Sequence, residues 1–147
     1  MTNHKNSDQT PIDPSLIAHL EFLKLSFMQA NYDALANLAA QKNWTHVDYL
    51  AALAEGEAGL RRERSIQRRI RLARFPVIKT LEQFKWSWPT TINRAALQNL
   101  FRLKFIEDKT NVIFLGGVGL GKTHLATALG YAACLKGKSV LFTTAID

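Results

Sequence analysis

The stretch that most limits what this chain can become is Gly116-Gly117-Val118-Gly119-Leu120-Gly121-Lys122-Thr123. It satisfies G-x-x-x-x-G-K-[ST], the phosphate-binding P-loop or Walker A pattern. The pattern has physical content only between a strand and a helix, and both flanks read that way. Asn111-Val112-Ile113-Phe114-Leu115 is apolar and β-branched, which predicts a buried strand. Lys122 to about Lys136 is small and apolar throughout, which predicts a helix. Glycines let the backbone approach an anion closely, and the loop N–H groups and the helix dipole then favour phosphate. In that reading Gly116, Gly117, Val118, Gly119, Leu120, Gly121, Lys122, Thr123 and His124 border ATP. Lys122 is the catalytic cation on the β- and γ-phosphates, and the Thr123 hydroxyl is a ligand of Mg²⁺. His124 reads as a packing or supporting residue at this edge rather than a base. The bland alternative is a glycine-rich turn without a ligand.

Charge is distributed unevenly. The 147 residues carry a formal net charge of +7 and a computed pI near 9.8, which favours an anionic partner. Residues 13–60 are net acidic, whereas residues 61–74 hold seven arginines and one glutamate. On a helix of about 3.6 residues per turn, Arg61, Arg64, Arg68 and Arg71 share one face, and Ile66, Ile70 and Ala73 share another. Such a stripe fits a duplex DNA backbone, and it equally fits a solvated face balanced by the acidic helices before it. Cys134 is the only cysteine, so no intrachain disulfide forms, and a reducing, cytoplasmic setting is expected. The polar start lacks a secretion signal, and no apolar run approaches the ~18 residues that span a bilayer. His4, His19 and His46 have no metal-site spacing.

In chain order, residues 1–14 read as a disordered tail. Residues 15–75 read as a helical DNA-binding and assembly region, 76–110 as linker and helix, and 111–147 as a β-α-β unit with a right-handed crossover. Asp13 is expected to cap a first helix with Pro14 at its first position. The periods through Leu16 to Phe27 and Met28 to Ala39 predict one long helix, or two broken near Gln29 to Asn31. Thr45 and Asp48 form a capping-box pattern. Val47, Leu50, Ala51 and Ala54 supply the apolar stripe of the next helix, and Gly56 and Gly59 imply a bend or a close helix contact. Phe75-Pro76 ends the arginine helix. Phe84, Trp86 and Trp88 either stack on a base or anchor the linker to a core. Thr91 is expected to cap a helix holding Ala96, Leu97, Leu100, Phe101, Lys104 and Phe105. Glu107 and Asp108 do not end a hydrophobic strand, so they are not read as Mg²⁺ partners. Gly137 stops the loop helix, and Ser139 to Thr144 reads as a second strand.

The ordered combination of Arg61 to Pro76, Lys79-Thr80-Leu81-Glu82-Gln83-Phe84, Gly121 to Ala126 and Phe142-Thr143-Thr144-Ala145 resembles the IstB family of insertion-sequence ATP-binding proteins. The resemblance covers the chain beyond about residue 14. It departs locally at Lys85-Trp86, where the family commonly has an acidic-aromatic pair. It implies an AAA+ ATPase that assembles as a homo-oligomer on duplex DNA and directs a transposase. It implies that the segment from Lys79 to Phe84 borders the nucleotide. The fold expected is a mainly α N-terminal region followed by the start of an α/β P-loop (AAA+) domain with an incomplete parallel sheet. The family's Asp-Asp or Asp-Glu strand end, polar sensor and arginine finger lie beyond Asp147. Negligible ATP hydrolysis by these 147 residues alone is therefore expected. Helicase loaders share the AAA+ core and Gly-Lys-Thr-His-Leu, and are the alternative enzyme reading. A non-enzymatic, truncated DNA-binding relic is the alternative outside enzymes. A small-molecule P-loop kinase is disfavoured by the basic helical region ahead of the loop.

Overall fold

The computed structural model describes residues 14–87 and 92–145. Asp13, the N-terminal tail, Trp88 and Thr91 lie outside the described residues, with the expectations placed on them. The chain divides into two compact units, one ending at Arg62 and one beginning at Glu63.

The first unit contains α1 (Pro14–Phe22), α2 (Ser26–Lys42) and the first part of α3 (His46–Leu72). The break between α1 and α2 falls at 23–25, earlier than the Gln29 to Asn31 position expected from propensity. Lys24 takes φ 56° there, and Leu25 donates its N–H to Leu20 O at 2.9 Å. Asn31 remains helical because its side chain bonds Phe27 O at 2.8 Å. Asn43 closes α2 in a left-handed conformation, φ 52°, which asparagine tolerates well. The Thr45–Asp48 capping box is formed: Asp48 N–H donates to Thr45 Oγ1 at 3.1 Å, and Thr45 N–H donates to Asp48 Oδ2 at 3.1 Å. The Thr45 hydroxyl holds the Asp48 carboxyl below its ordinary range.

Helix α3 runs unbroken through Gly56 and Gly59. Each glycine costs ~1 kcal/mol against alanine, but the alanine-, leucine- and arginine-rich flanks are good helix formers. Gly56 has a second role, since a Cβ there would collide with the Phe27 ring. The close-contact expectation therefore describes Gly56, while Gly59 meets nothing within 4 Å. The face that packs is Tyr49, Leu53, Gly56, Glu57 and Leu60. The expected core stripe points outward instead, with Val47 75% and Leu50 60% exposed, and Ala51 and Ala54 exposed beside them.

Glu57 lies on the packed face. The residue is only 4% exposed, and Oε2 accepts the Phe27 N–H at 2.8 Å and the Met28 N–H at 3.4 Å. Helix α2 has no side-chain cap of its own. Glu57 supplies one from a different helix and satisfies amides that a helix start leaves unpaired. Arg61 closes the arrangement, with Nε 3.2 Å from Glu57 Oε1 and its guanidinium on Leu23 O and Lys24 O at 3.3 and 3.4 Å.

The second unit holds the end of α3, α4 (Arg94–Leu100), α5 (Lys104–Glu107) and α6 (Lys122–Leu135). Asn93 caps α4, accepting the Ala96 N–H at 2.9 Å. The expected single helix through Phe105 breaks at Leu103, which takes φ 65° with its side chain buried. Two linked apolar clusters flank α6. Leu125 packs with Phe84 and Leu97, and Leu129 and Ala133 pack with Leu103. Phe75 lies against Gly130, where a Cβ would come within 2.9 Å of its ring. Cys134 is fully buried, and burial raises its thiol pKa.

The expected α/β start with an incomplete parallel sheet is not present: among the described residues there is no strand and no sheet. The segments at 111–115 and 139–144 are irregular, so the β-α-β crossover has no strands to connect. Their apolar residues do pack, since Val112, Phe114 and Val140 lie on the clusters. What is missing is a backbone partner. The second segment takes one long-range backbone bond, from Phe142 N–H to Ala73 O at 2.8 Å. β-Branched composition makes a segment fit a pleated surface, but a strand exists only through its ladder.

Candidate nucleotide-binding site

The glycine loop leads directly into α6. Gly121 immediately precedes the helix with φ 82°, and no side chain caps that end. Leu125 N–H closes the first turn on Gly121 O at 2.9 Å. The preceding amides of the turn have no intrahelical acceptor by the geometry of any helix start, so they and the dipole favour an anion. Gly121 is required twice over. Its φ is left-handed, and a Cβ would stand 2.7 Å from Phe84 Cε2. The glycine thus lets the Phe84 ring of the linker pack against the start of α6.

Lys122 folds back over its own loop. Nζ donates to Gly116 O at 2.9 Å and to Gly117 O at 2.6 Å. An ammonium has three donors, so these two carbonyls hold the cation at the loop while one N–H remains for another acceptor. Thr123 is exposed at the second position of α6, next to Lys122. Val118, at the loop's crest, is fully exposed.

Beside the loop lies a cleft of about 420 Å³, lined by Ile78, Lys79, Gln83, Phe84, Lys85, Ser87, Gly119, Leu120, Gly121 and His124. Its walls carry two lysines and no carboxylate. The linker wall is fixed by His124, whose Nε2 lies 2.9 Å from Thr80 O. A carbonyl only accepts, so Nε2 carries the proton. The His124 ring also meets Phe84 edge-on at 5.4 Å, and Phe84 meets Trp86 edge-on at 5.2 Å. Arg94 stands 4.7 Å over the Trp86 ring. Phe84 is buried and anchors the linker to the core. Ile78, Lys85 and Ser87 line the cleft without any motif to mark them. Only their place on a linker that folds against the loop brings them there.

Gly116 to His124 form one continuous run from the loop into α6, and the arginines lie on α3. Arg61 is engaged inside the first unit, as described above. Arg64, Arg68 and Arg71 are exposed on α3, and Arg69 is half-buried with its guanidinium on Ser65 Oγ at 2.6 Å. Among the described residues no cluster of three or more His, Cys, Asp or Glu side chains forms a metal site. Among those residues, too, no helix is long and apolar enough to cross a membrane.

Known proteins extend this picture. An insertion sequence IS21 putative ATP-binding protein of Pseudomonas aeruginosa is 38% identical over 123 residues, covering 84% of this chain and 46% of that protein. An IS5376 putative ATP-binding protein of Geobacillus stearothermophilus is 35% identical over 125 residues, covering 85% and 50%. An IS232 counterpart from Bacillus thuringiensis subsp. berliner is 32% identical over 143 residues, covering 97% and 55%. The chain thus spans about half the length of the curated relatives it matches. The family model described as IstB-like ATP binding protein matches residues 18–147, glycine loop and arginine helix included, and the chain belongs to that family.

Proposed function

We propose that this chain is the nucleotide-sensing portion of an ATP-dependent helper of DNA transposition. The observation that carries the reading is the uncapped start of α6 behind a glycine loop whose lysine is held at the loop's own carbonyls. Gly116 to Thr123 would hold the phosphates. Lys122 would exchange its carbonyl partners for phosphate oxygens, and Thr123 would give Mg²⁺ one hydroxyl ligand. Mg²⁺ keeps several waters and binds mainly through substrate phosphates, so a single protein oxygen is chemically sufficient at this edge. The cleft between the linker and the loop fits the nucleoside, with Phe84 and Leu120 as apolar walls and His124 positioning the linker. ATP bound there supplies the phosphoanhydride, and this chain's residues bind and orient it.

Arg64, Arg68 and Arg71, with Arg61 at the head of the same run, form the proposed contact to duplex DNA. A transposase, a homo-oligomeric assembly and a cytoplasmic setting complete the proposal; the relatives' names as insertion-sequence proteins support its link to transposition alone. Titrating the chain with Mg²⁺-ATP by calorimetry tests the nucleotide reading. Saturable binding that Lys122→Ala weakens at least tenfold is expected, together with negligible turnover by the 147 residues alone. Equal binding by Lys122→Ala would remove the lysine's role, and turnover by the purified chain would refute the expected inactivity.

A further inference from the structure

The outward face of α3 in the first unit is apolar over about three turns. Val47, Ala51, Ala54 and Ala58 recur at alternating steps of four and three residues, and Leu50 flanks them. All five are exposed, Val47 at 75% and Leu50 at 60%. This is the spacing of a helix seam that meets another helix, with small residues that let two backbones approach closely. The packed face of the same segment lies elsewhere, fixed by Leu53, Gly56 and Glu57. The outward seam is therefore not left over from core packing within the unit.

We propose that this seam pairs with the same seam of a second copy, the two α3 helices running antiparallel. Charge selects both the occupant and the direction. Asp48, Glu55 and Arg62 follow one another at seven-residue intervals along one edge of the seam. In an antiparallel pair centred near residue 55, Asp48 of each copy faces Arg62 of the other, twice over, and Ala51 faces Ala58. A parallel pair would put these residues on opposite edges of the seam and form neither ion pair. Asp48 uses one oxygen, Oδ2, for its capping box, and Arg62 is exposed. The one like-charge contact of the antiparallel arrangement is Glu55 against Glu55 at the centre. A seam of this length is short for a protein interface, so the pair is concentration-dependent rather than obligate. The inference does not depend on nucleotide binding, because every residue it uses lies ahead of Glu63.

Mixing Ala51→Cys chain with Ala58→Cys chain under mild oxidation tests both partner and direction. Cys134 is fully buried and stays out of the exchange. Expected is a mixed 51–58 disulfide dimer in large excess over either homodimer, abolished when Ala54→Arg is added to both chains. By sedimentation equilibrium, the unmodified chain should show a monomer–dimer equilibrium. Arg62→Glu weakens it by about three- to tenfold, the size expected for two exposed ion pairs, and Glu55→Gln strengthens it. Ala54→Arg should remain fully helical by circular dichroism, since residue 54 is exposed. A chain that is monomeric at every soluble concentration would leave this face to some other protein and overturn the proposal. Homodisulfides 51–51 and 58–58 in excess would overturn the antiparallel pairing.

Discussion

The two units satisfy their polar helix ends in opposite ways. At the start of α2, Glu57 reaches across from α3 to accept two amides, and Arg61 covers the carbonyls of the preceding turn. At the start of α6, nothing from a side chain does so, and Lys122 covers loop carbonyls rather than amides. A helix end closed by its own protein is a structural joint. A helix end without a side-chain cap, behind a glycine loop, is the place proposed above for an anion. The same elementary requirement, that amides at a helix start find partners, is met by a side chain in one unit and, under the proposed nucleotide reading, by phosphate in the other.

The largest test of this contrast is Glu57→Ala. It leaves the Phe27 and Met28 amides unpaired in a covered position and strips Arg61 of its carboxylate. A loss of about 1–3 kcal/mol is expected, mainly from the amides left without an acceptor, since Arg61 is exposed and its ion pair adds little. Urea unfolding followed by circular dichroism gives the value. Hydrogen exchange should show the loss in α1 and α2, and the loop at 116–121 should exchange as in the unsubstituted chain. An equal effect on both units would erase the contrast.

Gly56→Ala and Gly121→Ala form a matched pair, since each methyl group would meet an aromatic ring, Phe27 in one case and Phe84 in the other. Both should cost about 2 kcal/mol, from overpacking at Gly56 and from overpacking plus left-handed strain at Gly121. Only Gly121→Ala should also lower ATP affinity, because only there does the glycine border the proposed phosphate cradle. Calorimetry on both variants separates the two kinds of glycine. Unaltered ATP binding by Gly121→Ala would detach the loop geometry from the nucleotide.

What was legible in the sequence follows from how far apart the cooperating residues lie. The glycine loop, Lys122, Thr123 and α6 are contiguous, so spacing alone located them. The Thr45–Asp48 box spans three residues and was equally readable. Glu57 capping α2 joins positions about thirty residues apart, and no periodicity announces it. That contact lies on the face of α3 that packs, with Leu53 and Gly56, whereas the stripe at Val47 and Leu50 was assigned to the core and lies outside. Arg61 was read with the arginine stripe because its angular position matches Arg64 and Arg68, yet its guanidinium is held by Glu57 and two carbonyls. The segments at 111–115 and 139–144 failed as strands for a related reason. Composition reports what a segment tolerates, whereas a ladder depends on a partner the segment itself does not encode.

Acid sharpens the comparison at a smaller scale. Burial tends to raise the Glu57 pKa, but the Phe27 amide, Arg61 and the Met28 amide together pull it below the ordinary glutamate range. A carboxyl depressed in the folded state stabilises the fold above its unfolded pKa, about 4.3 for glutamate. That contribution is lost as pH falls through the lower, folded value. As pH falls below about 4.5 the first unit should therefore lose more stability than a Glu57→Gln chain, which has no proton to gain there. Thermal melts of the two chains across that window give the difference. Parallel pH profiles would mean that Glu57 is not held ionised by α2.

The smallest expected effect is at Gly59, one turn from Gly56 on the same helix. Its environment is open, with no atom within 4 Å of a would-be Cβ and no left-handed φ. Alanine there removes the flexibility glycine gives the unfolded chain and meets no neighbour in the folded one. Gly59→Ala should stabilise the chain by about 0.5–1 kcal/mol, against a loss for Gly56→Ala. The opposite signs would show that α3 carries one glycine for contact with Phe27 and another that packing does not require. Should Gly59→Ala instead destabilise the isolated chain, the open side of α3 would have to be covered by something that the chain brings to itself, and the antiparallel seam at Val47 to Ala58 would be the first surface to re-examine.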